Sequence, residues 1–316
     1  MKRCPRLWIV FALALPLCSL AQQTISPDEN QNAVRPTGVP SQPTHKHHRA
    51  APKPKESDDE PAVVSSVPGI VPATTASSVI VINAQSGQVL YEKNADQFRA
   101  AASTQKLLTA LIVAENGFLD RQVTVQQVDT LAEPVKLNIK PGDTYQRIDL
   151  LRALLVKSPN DVARCLARDN AGSIEGFAVK MNQRAGALGA THSHFVNPNG
   201  LPIPGQYSTA RDLSMIARTA YANPTIRSIV CLPQLMFRYA NGRTRELENT
   251  NKLLRQLPYC NGMKTGYTEA AGKCLIASGA RPGKDVIVVV LGDSSSHVWR
   301  DASALLAWGL WNPSAG

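Results

Sequence analysis

The sequence predicts an α+β fold: an antiparallel sheet drawn from both ends of the chain and flanked by helices, with a helical subdomain inserted at about 120–225. Three observations carry this prediction. Apolar residues alternate with period two near 79–92 and again after Ile229, they recur at helical spacing through the middle of the chain, and a last helical segment follows the late strands. With 316 residues, 43% of them hydrophobic, the chain has enough material for one large core or two joined subdomains.

The first 21 residues read as an export signal. Lys2, Arg3 and Arg6 precede an apolar run from Leu7 to Leu17, and the small residues Ser19 and Ala21 mark a cleavage point. Pro16 interrupts the run, which is short for a membrane span of roughly 20 residues. The segment 22–76 is rich in Pro, Ser, Thr, Gln and charge and has no aromatic residue, so it reads as a disordered tether. Its His45, His47 and His48 have no carboxylate or Cys partners and read as solvated, so no metal is expected. The formal net charge is +10, and removal of the three basic signal residues leaves +7. Outside the cytoplasm such a surface points to anionic wall polymers or lipid headgroups, hence a peripheral wall or membrane association, rather than to nucleic acid. Cys165, Cys231, Cys260 and Cys274 remain in an oxidising location, with spacings that dictate no pairing.

The unit 77–316 is expected to carry the activity. Residues 79–83 and 88–92 form a strand pair across the turn at Gly87. A helix over 103–116 carries Leu107, Leu108, Leu111 and Ile112 on its apolar side and ends before Gly117. Helical spacing returns over 149–156, 162–168, 174–188 and 209–222, the last opened by a capping box at Thr209-Ala-Arg-Asp212. Strands are expected at 235–239, 262–268, 273–280 and 286–291, with turns at Asn241-Gly242 and Arg281-Pro282-Gly283. A helix over 301–311 closes the unit.

Three short motifs carry chemistry. Ser103-Thr104-Gln105-Lys106 places a hydroxyl and an ammonium one helical turn apart, where a desolvated lysine accepts the serine proton. Ser158-Pro159-Asn160 follows a helical stretch that Pro159 cannot continue; its hydroxyl and amide suit a proton relay and a substrate carbonyl. Lys264-Thr265-Gly266 lies on a strand, where cation and hydroxyl suit a carboxylate and the glycine admits a ligand backbone. Taken singly, each has a plainer explanation as a cap, a turn or a strand end. Together and in this order, they form the signature of penicillin-binding proteins and class A β-lactamases.

On these motifs the sequence resembles the low-molecular-mass penicillin-binding proteins, serine-type D-alanyl-D-alanine carboxypeptidases of peptidase family S11. The resemblance covers about 77–311 and includes Arg99-Ala-Ala-Ala-Ser-Thr-Gln-Lys106, His194-Phe-Val-Asn-Pro-Asn-Gly-Leu201, Tyr207-Ser-Thr-Ala-Arg-Asp-Leu213, Asn249-Thr-Asn-Lys-Leu-Leu254, Gly262-Met-Lys-Thr-Gly-Tyr-Thr268 and Leu305-Leu-Ala-Trp-Gly309. It implies a serine β-lactamase/penicillin-binding-protein-like transpeptidase fold without cofactor. It also implies an extracytoplasmic enzyme that takes peptidoglycan stem peptides and is acylated by β-lactam antibiotics. Ser103 is then the nucleophile and Lys106 its base, Ser158 and Asn160 complete the relay, and Lys264, Thr265 and Gly266 bind the terminal carboxylate and its backbone. The backbone N–H groups of Ser103 and Tyr267 form the oxyanion hole, and Arg300 is the candidate for a supporting arginine. Pro159 departs from the Gly usual in the family. The chain ends at Gly316 without the all-β domain and amphipathic helix of many relatives, so any tether is expected at the N-terminus.

Two other readings use the same motifs. A β-lactamase needs a carboxylate to activate the deacylating water, and Thr191-His-Ser-His-Phe-Val-Asn-Pro-Asn-Gly200 holds none, so slow deacylation is expected. A D,D-endopeptidase would use the same residues, whereas a catalytically silent wall-binding paralogue would need neither nucleophile nor base. G-x-S-x-G, H-E-x-x-H and P-loop motifs are absent, and His192, His194 and His297 have no triad spacing.

Overall fold

The computed structural model describes residues 69–312. The segment read as an export signal and most of the one read as a tether lie outside the described residues.

The alternating strands assemble as one five-stranded antiparallel sheet. β1 (Ser78–Asn83) and β2 (Val89–Lys93) come from the start of the unit, and β7 (Cys260–Thr268), β8 (Gly272–Arg281) and β9 (Lys284–Asp293) from its end, in the order β2-β1-β9-β8-β7. β9 pairs with β1 through Val79↔Val290 and Val81↔Val288, which joins the two ends of the unit. Because successive side chains point to opposite faces, Val79 and Val81 turn to one side and Ile80 and Ile82 to the other. β8 divides likewise, Leu275 and Ala277 against Ile276.

The valine-rich face is covered by α8 (Val298–Trp311), which packs Leu305, Leu306 and Leu310 onto it. The opposite face is covered by helices. A 3₁₀ turn, Ala102–Gln105, leads into α1 (Lys106–Glu115), whose residues from Lys106 to Val113 are all buried. A helix so enclosed is apolar at most positions, as Leu107, Leu108, Ala110, Leu111, Ile112 and Val113 are, and Lys106 and Thr109 are its buried polar exceptions. α2 (Arg147–Lys157), α3 (Asn160–Ala171), α4 (Ile174–Ala187) and α5 (Ala210–Ala222) surround it. Caps stop and start them: Ser173 accepts from Gly176 N, and Thr209 accepts from Asp212 N at 3.0 Å. The buried Arg147 guanidinium donates from Nε to Asp169 and from Nη1 to Gly117 O, tying the start of α2 to the end of α3 and to the residue beyond α1.

Several expectations need correction. The ordered body starts before Ser77: Thr75 N donates to Asp301 at 2.7 Å, Thr75 Oγ1 to Asp293 at 2.8 Å, and Ala76 is fully buried, so these two residues belong to the fold rather than to the tether. Ser103 lies in the 3₁₀ turn, and the α-helix begins only at Lys106. Asn160 is the first residue of α3 rather than part of a loop. β5 (Gln234–Arg238) and β6 (Thr244–Glu248) make a separate hairpin outside the main sheet. Short elements went unseen: β3 (Gln122–Thr124), a 3₁₀ turn at Gln127–Thr130, β4 (Thr144–Gln146), α6 (Pro224–Val230) and α7 (Leu253–Gln256). Elements of three to seven residues carry too little period to read. All four described cysteines are free thiols. Among the described residues, no helix is long and apolar enough to cross a membrane.

α8 approaches the sheet closely at Gly309, where an added Cβ would lie 2.8 Å from Val286 Cγ1 and 3.0 Å from Val81 Cγ1. Gly309→Val is expected to cost about 1–3 kcal/mol through overpacking, read by urea denaturation. A variant as stable as the parent would show that α8 does not rest on the sheet there.

Candidate active site

The site forms where the 3₁₀ turn before α1 meets the edge strand β7, the α2–α3 junction and the loop 196–201. Gly266 and Gly200 make the first contact possible. A Cβ on Gly266 would stand 2.8 Å from Ser103 N, and one on Gly200 would stand 3.0 Å from the same atom and run into the Ala102 carbonyl. Two glycines thus let two segments of backbone close around the start of the Ser103 turn.

Ser103 is half-buried, and its Oγ lies 2.7 Å from Lys106 Nζ. The lysine is fully buried. Its nitrogen also meets Asn160 Oδ1 at 2.8 Å and the Asn199 carbonyl at 2.7 Å. Both of these partners can only accept, so they take two N–H groups of the amine. In the neutral form the remaining lone pair faces the Ser103 hydroxyl. Burial, followed by repulsion from Lys264, pushes the Lys106 pKa well below its ordinary 10.5, and Asp161 opposes the shift.

Asp161 is itself committed. Oδ1 accepts from Leu137 N at 3.0 Å and Val162 N at 2.9 Å, and Oδ2 accepts from Asn138 N at 2.8 Å. It acts as a fixed negative charge that anchors the segment 137–138 to the start of α3.

Ser158 caps α2 in the left-handed region, at φ 66° and ψ 30°. Ala102, directly before Ser103, has φ 47°. Non-glycine residues in such conformations cost of order 1–3 kcal/mol each, and both flank the reactive groups. The Ser158 hydroxyl is buried and has no protein partner among the described residues. Asn160 is held by its backbone N–H to Val135 O at 2.7 Å, and its Nδ2 points to Glu133 O at 3.3 Å.

Lys264 is fully buried on β7, and burial alone pushes its pKa down to about 7. Its Nζ donates to Thr265 O at 2.9 Å, leaving further N–H groups for a ligand. Thr265 Oγ1 meets Thr250 Oγ1 at 2.6 Å, and Thr250 N donates to Val156 O, so β7 is braced against the end of α2. Tyr267 is 57% exposed, with Lys273 Nζ 4.7 Å from its ring centroid. As the edge strand, β7 presents an outer side that no other strand covers.

The structure therefore brings Ser103, Lys106 and Asn160 into one hydrogen-bonded set, with Gly266 against Ser103 and Lys264 close enough to perturb Lys106. Arg300 stands apart from it. It sits in the first turn of α8, on the opposite face of the sheet, and its guanidinium pairs with Asp301 at 2.9–3.0 Å rather than with the Lys264 region. The sequence reading missed the parts played by Asn199, Gly200, Thr250 and Asp161. Asn199 acts through its backbone carbonyl, which carries no side-chain signal. The loop around it is fixed by Gln105 Nε2 to Asn197 O at 2.6 Å and Thr109 Oγ1 to Pro198 O at 2.7 Å. His194 bonds Gly205 O and His297 bonds Ser294, so neither histidine has a triad partner. Among the described residues no group of three or more His, Cys, Asp or Glu side chains is placed to hold a metal, and the histidine run at 45–48 lies outside them.

Comparison with known proteins places the chain in a family. The family model for D-alanyl-D-alanine carboxypeptidase, peptidase family S11, matches residues 65–295. The D-alanyl-D-alanine carboxypeptidase DacB2 of Mycobacterium tuberculosis is 37% identical over 267 residues, covering 82% of this chain and 90% of the relative. DacF of Bacillus subtilis, also named a D-alanyl-D-alanine carboxypeptidase, is 32% identical over 71% of this chain and 59% of its own length. Among solved structures, the DD-transpeptidase of Streptomyces K15 superposes with a TM-score of 0.72 at 31% identity, over 76% of this chain and 98% of the other. The strand-edge serine and its buried lysine are thus set in a penicillin-binding-protein-like fold, and the chain belongs to the S11 family of serine D-alanyl-D-alanine carboxypeptidases.

Proposed function

We propose that the protein removes the terminal D-alanine from peptidoglycan stem peptides ending in D-Ala-D-Ala, through an acyl-enzyme on Ser103. The observation that carries this reading is the 2.7 Å contact between Ser103 Oγ and a fully buried Lys106 Nζ whose other neighbours are both acceptors. Lys106 takes the hydroxyl proton as Ser103 Oγ attacks the carbonyl carbon of the penultimate D-alanine. The oxyanion faces the backbone N–H groups of Ser103 and Tyr267, and the approach of Gly266 to Ser103 N supports that pairing. As the C–N bond breaks, the departing amine receives a proton from Lys106 by way of the unpaired Ser158 hydroxyl. Water then attacks the ester carbonyl and Ser103 recovers its proton. Lys264 and Thr265 hold the terminal carboxylate, and the names of the relatives favour a carboxypeptidase over a crosslink-cutting endopeptidase.

A β-lactam enters the same trap. Its deacylation is expected to be slow, because the acid close to the relay, Asp161, has both oxygens bound by backbone N–H groups and is not free to activate water. Enzymes of this family act on the cell wall, outside the cytoplasm. Export through the segment 1–21, a tether over most of 22–76 and attraction of the basic surface to anionic wall polymers belong to the same proposal. Arg300, paired with Asp301 on the far side of the sheet, has no part in the carboxylate site proposed here.

Ser103→Ala is expected to abolish covalent labelling by fluorescent penicillin and D-alanine release without lowering Tm. Lys106→Ala is expected to slow acylation by roughly 10²–10⁴, the usual contribution of a general base. A Ser103→Ala protein that still forms the adduct would remove the nucleophile from the account.

The two lysines also set a pH profile. Lys106 must be neutral to act as base, so kcat/KM rises with pH as it loses its proton. Lys264 must be charged to hold a carboxylate, and with a pKa of about 7 in the free enzyme the clamp is lost as pH rises through that value. Lys264→Arg, whose guanidinium stays charged, is expected to carry the descending limb to higher pH for a peptide ending in D-Ala-D-Ala. A limb that stays in place in the variant would show that another group controls it.

A further inference from the structure

A cavity of about 530 Å³ opens between the loop 137–143 and the hairpin β5–β6, and none of the residues assigned to the reaction lines it. Its walls are fixed. Phe237 on the hairpin packs against Tyr145, with ring centroids 5.5 Å apart, and Tyr239 Oη donates to Leu137 O at 3.0 Å. In the loop, Asp143 Oδ2 accepts from Lys140 N at 2.9 Å and from Tyr145 Oη at 2.8 Å. Those bonds close the turn and commit one oxygen of the single carboxylate among the described lining residues. The strand pattern decides where the hairpin sends its charges. Leu235, Phe237 and Leu247 share the inner face, and Arg245, paired with Phe237, shares it with them, whereas Arg238, Glu246 and Glu248 turn outward. Arg245 is thereby kept from the two acids of its own strand. Arg243, just before β6, and Lys140, from the loop, line the same cavity. Among the described residues, the side chains of Lys140, Arg243 and Arg245 have no hydrogen-bond or ion-pair partner.

Three unpaired cations against one partly committed carboxylate leave the cavity positive, and its concave walls concentrate that potential. Neutral donors accompany them: the Thr244 hydroxyl and the Asn138 and Asn241 amides also line the cavity, and Asn241 Oδ1 already accepts from Arg243 N at 3.1 Å. This supply of donors exceeds what one carboxylate can accept. It suits repeating phosphodiesters, of which one meets the Lys140 wall while the next meets the fork-shaped donors of Arg243 and Arg245. None of the exposed large apolar side chains lines the cavity to enter a bilayer, which favours a soluble chain passing between two walls over a lipid surface. We propose that this cavity is a binding site for a phosphodiester-linked anionic polymer, through which the enzyme holds to the cell wall while the Ser103 site stays open. The inference rests on the cell-wall setting of the proposed function and not on the reaction at Ser103.

The test titrates a fluorescent poly(glycerol phosphate) oligomer with the full chain and reads its anisotropy. Arg245→Gln and Lys140→Gln, one on each wall, are each expected to weaken binding by roughly tenfold, the loss of one charge-assisted bond. Arg238→Gln removes the same charge from the outer face of the same hairpin, and is expected to change binding by less than about twofold. Arg243→Gln, at an exposed position, gives the same readout as Arg245→Gln if the latter melts early. Equal losses in the inner-face and outer-face variants would overturn the site and leave only the general attraction of a basic surface. Tighter binding of a polyglutamate oligomer of equal charge would overturn the phosphodiester ligand, and so would binding to phosphatidylglycerol vesicles without binding to the oligomer. Binding as expected in a protein that releases no D-alanine from a D-Ala-D-Ala peptide would overturn the carboxypeptidase reading and leave this site standing.

Discussion

A lysine is buried completely at the junction of three chain segments, and the site depends on how its nitrogen is satisfied. Desolvation disfavours the charged form, Lys264 disfavours it further, and only the committed carboxylate of Asp161 opposes them. The fold meets this constraint with two carbonyl acceptors from separate places, the Asn160 side chain at the start of α3 and the Asn199 backbone in the loop 196–201. Both are fixed by further hydrogen bonds, so the amine has one direction left, toward Ser103. A lysine in water would be charged and useless as a base; the same residue buried here is poised to take a proton.

The sheet serves this arrangement by ending in β7. Because both ends of the unit contribute strands, β7 is an edge, and the helix opened by the Ser103 turn is pressed against it across Gly266. Two of the five described non-glycine residues with positive φ, Ala102 and Ser158, lie beside the nucleophile and the relay. The surrounding packing, with α1 buried from Lys106 to Val113, is what holds these conformations. Rigidity around a half-exposed hydroxyl follows from sequence features far from the chemistry, such as the alternation of Val79, Ile80, Val81 and Ile82 that commits both sheet faces to helices.

The α+β architecture and the family were legible because they rest on long periodic segments and on motifs with fixed spacing. The strands at 262–268 and 286–291 and the helices at 174–188 and 209–222 lie within a few residues of the observed elements. Ser103 and Lys106 meet one turn apart, as their spacing expects, and Asn160 Oδ1 reaches the same lysine nitrogen. What escaped was of two kinds. Backbone atoms such as Asn199 O have no residue type to betray them, and Gly200 looks like any turn glycine until Ala102 is seen against it. Register was the other difficulty: Arg300 has the right chemistry near the last strand, but helical phase sends it to Asp301 on the far face. The start of the fold was misplaced for a related reason, since Thr75 and Ala76 are held by hydrogen bonding and burial that a polar, proline-rich context conceals.

The central claim is that Lys106 is neutral enough, in place, to act as the base for Ser103. It is tested most directly by following the side-chain resonances of selectively labelled lysine across a pH titration of the folded protein, with Lys106→Ala to assign the signal. The account predicts that Lys106 loses its proton well below its ordinary 10.5 while the protein remains folded. A Lys106 that titrates with the exposed lysines would contradict it.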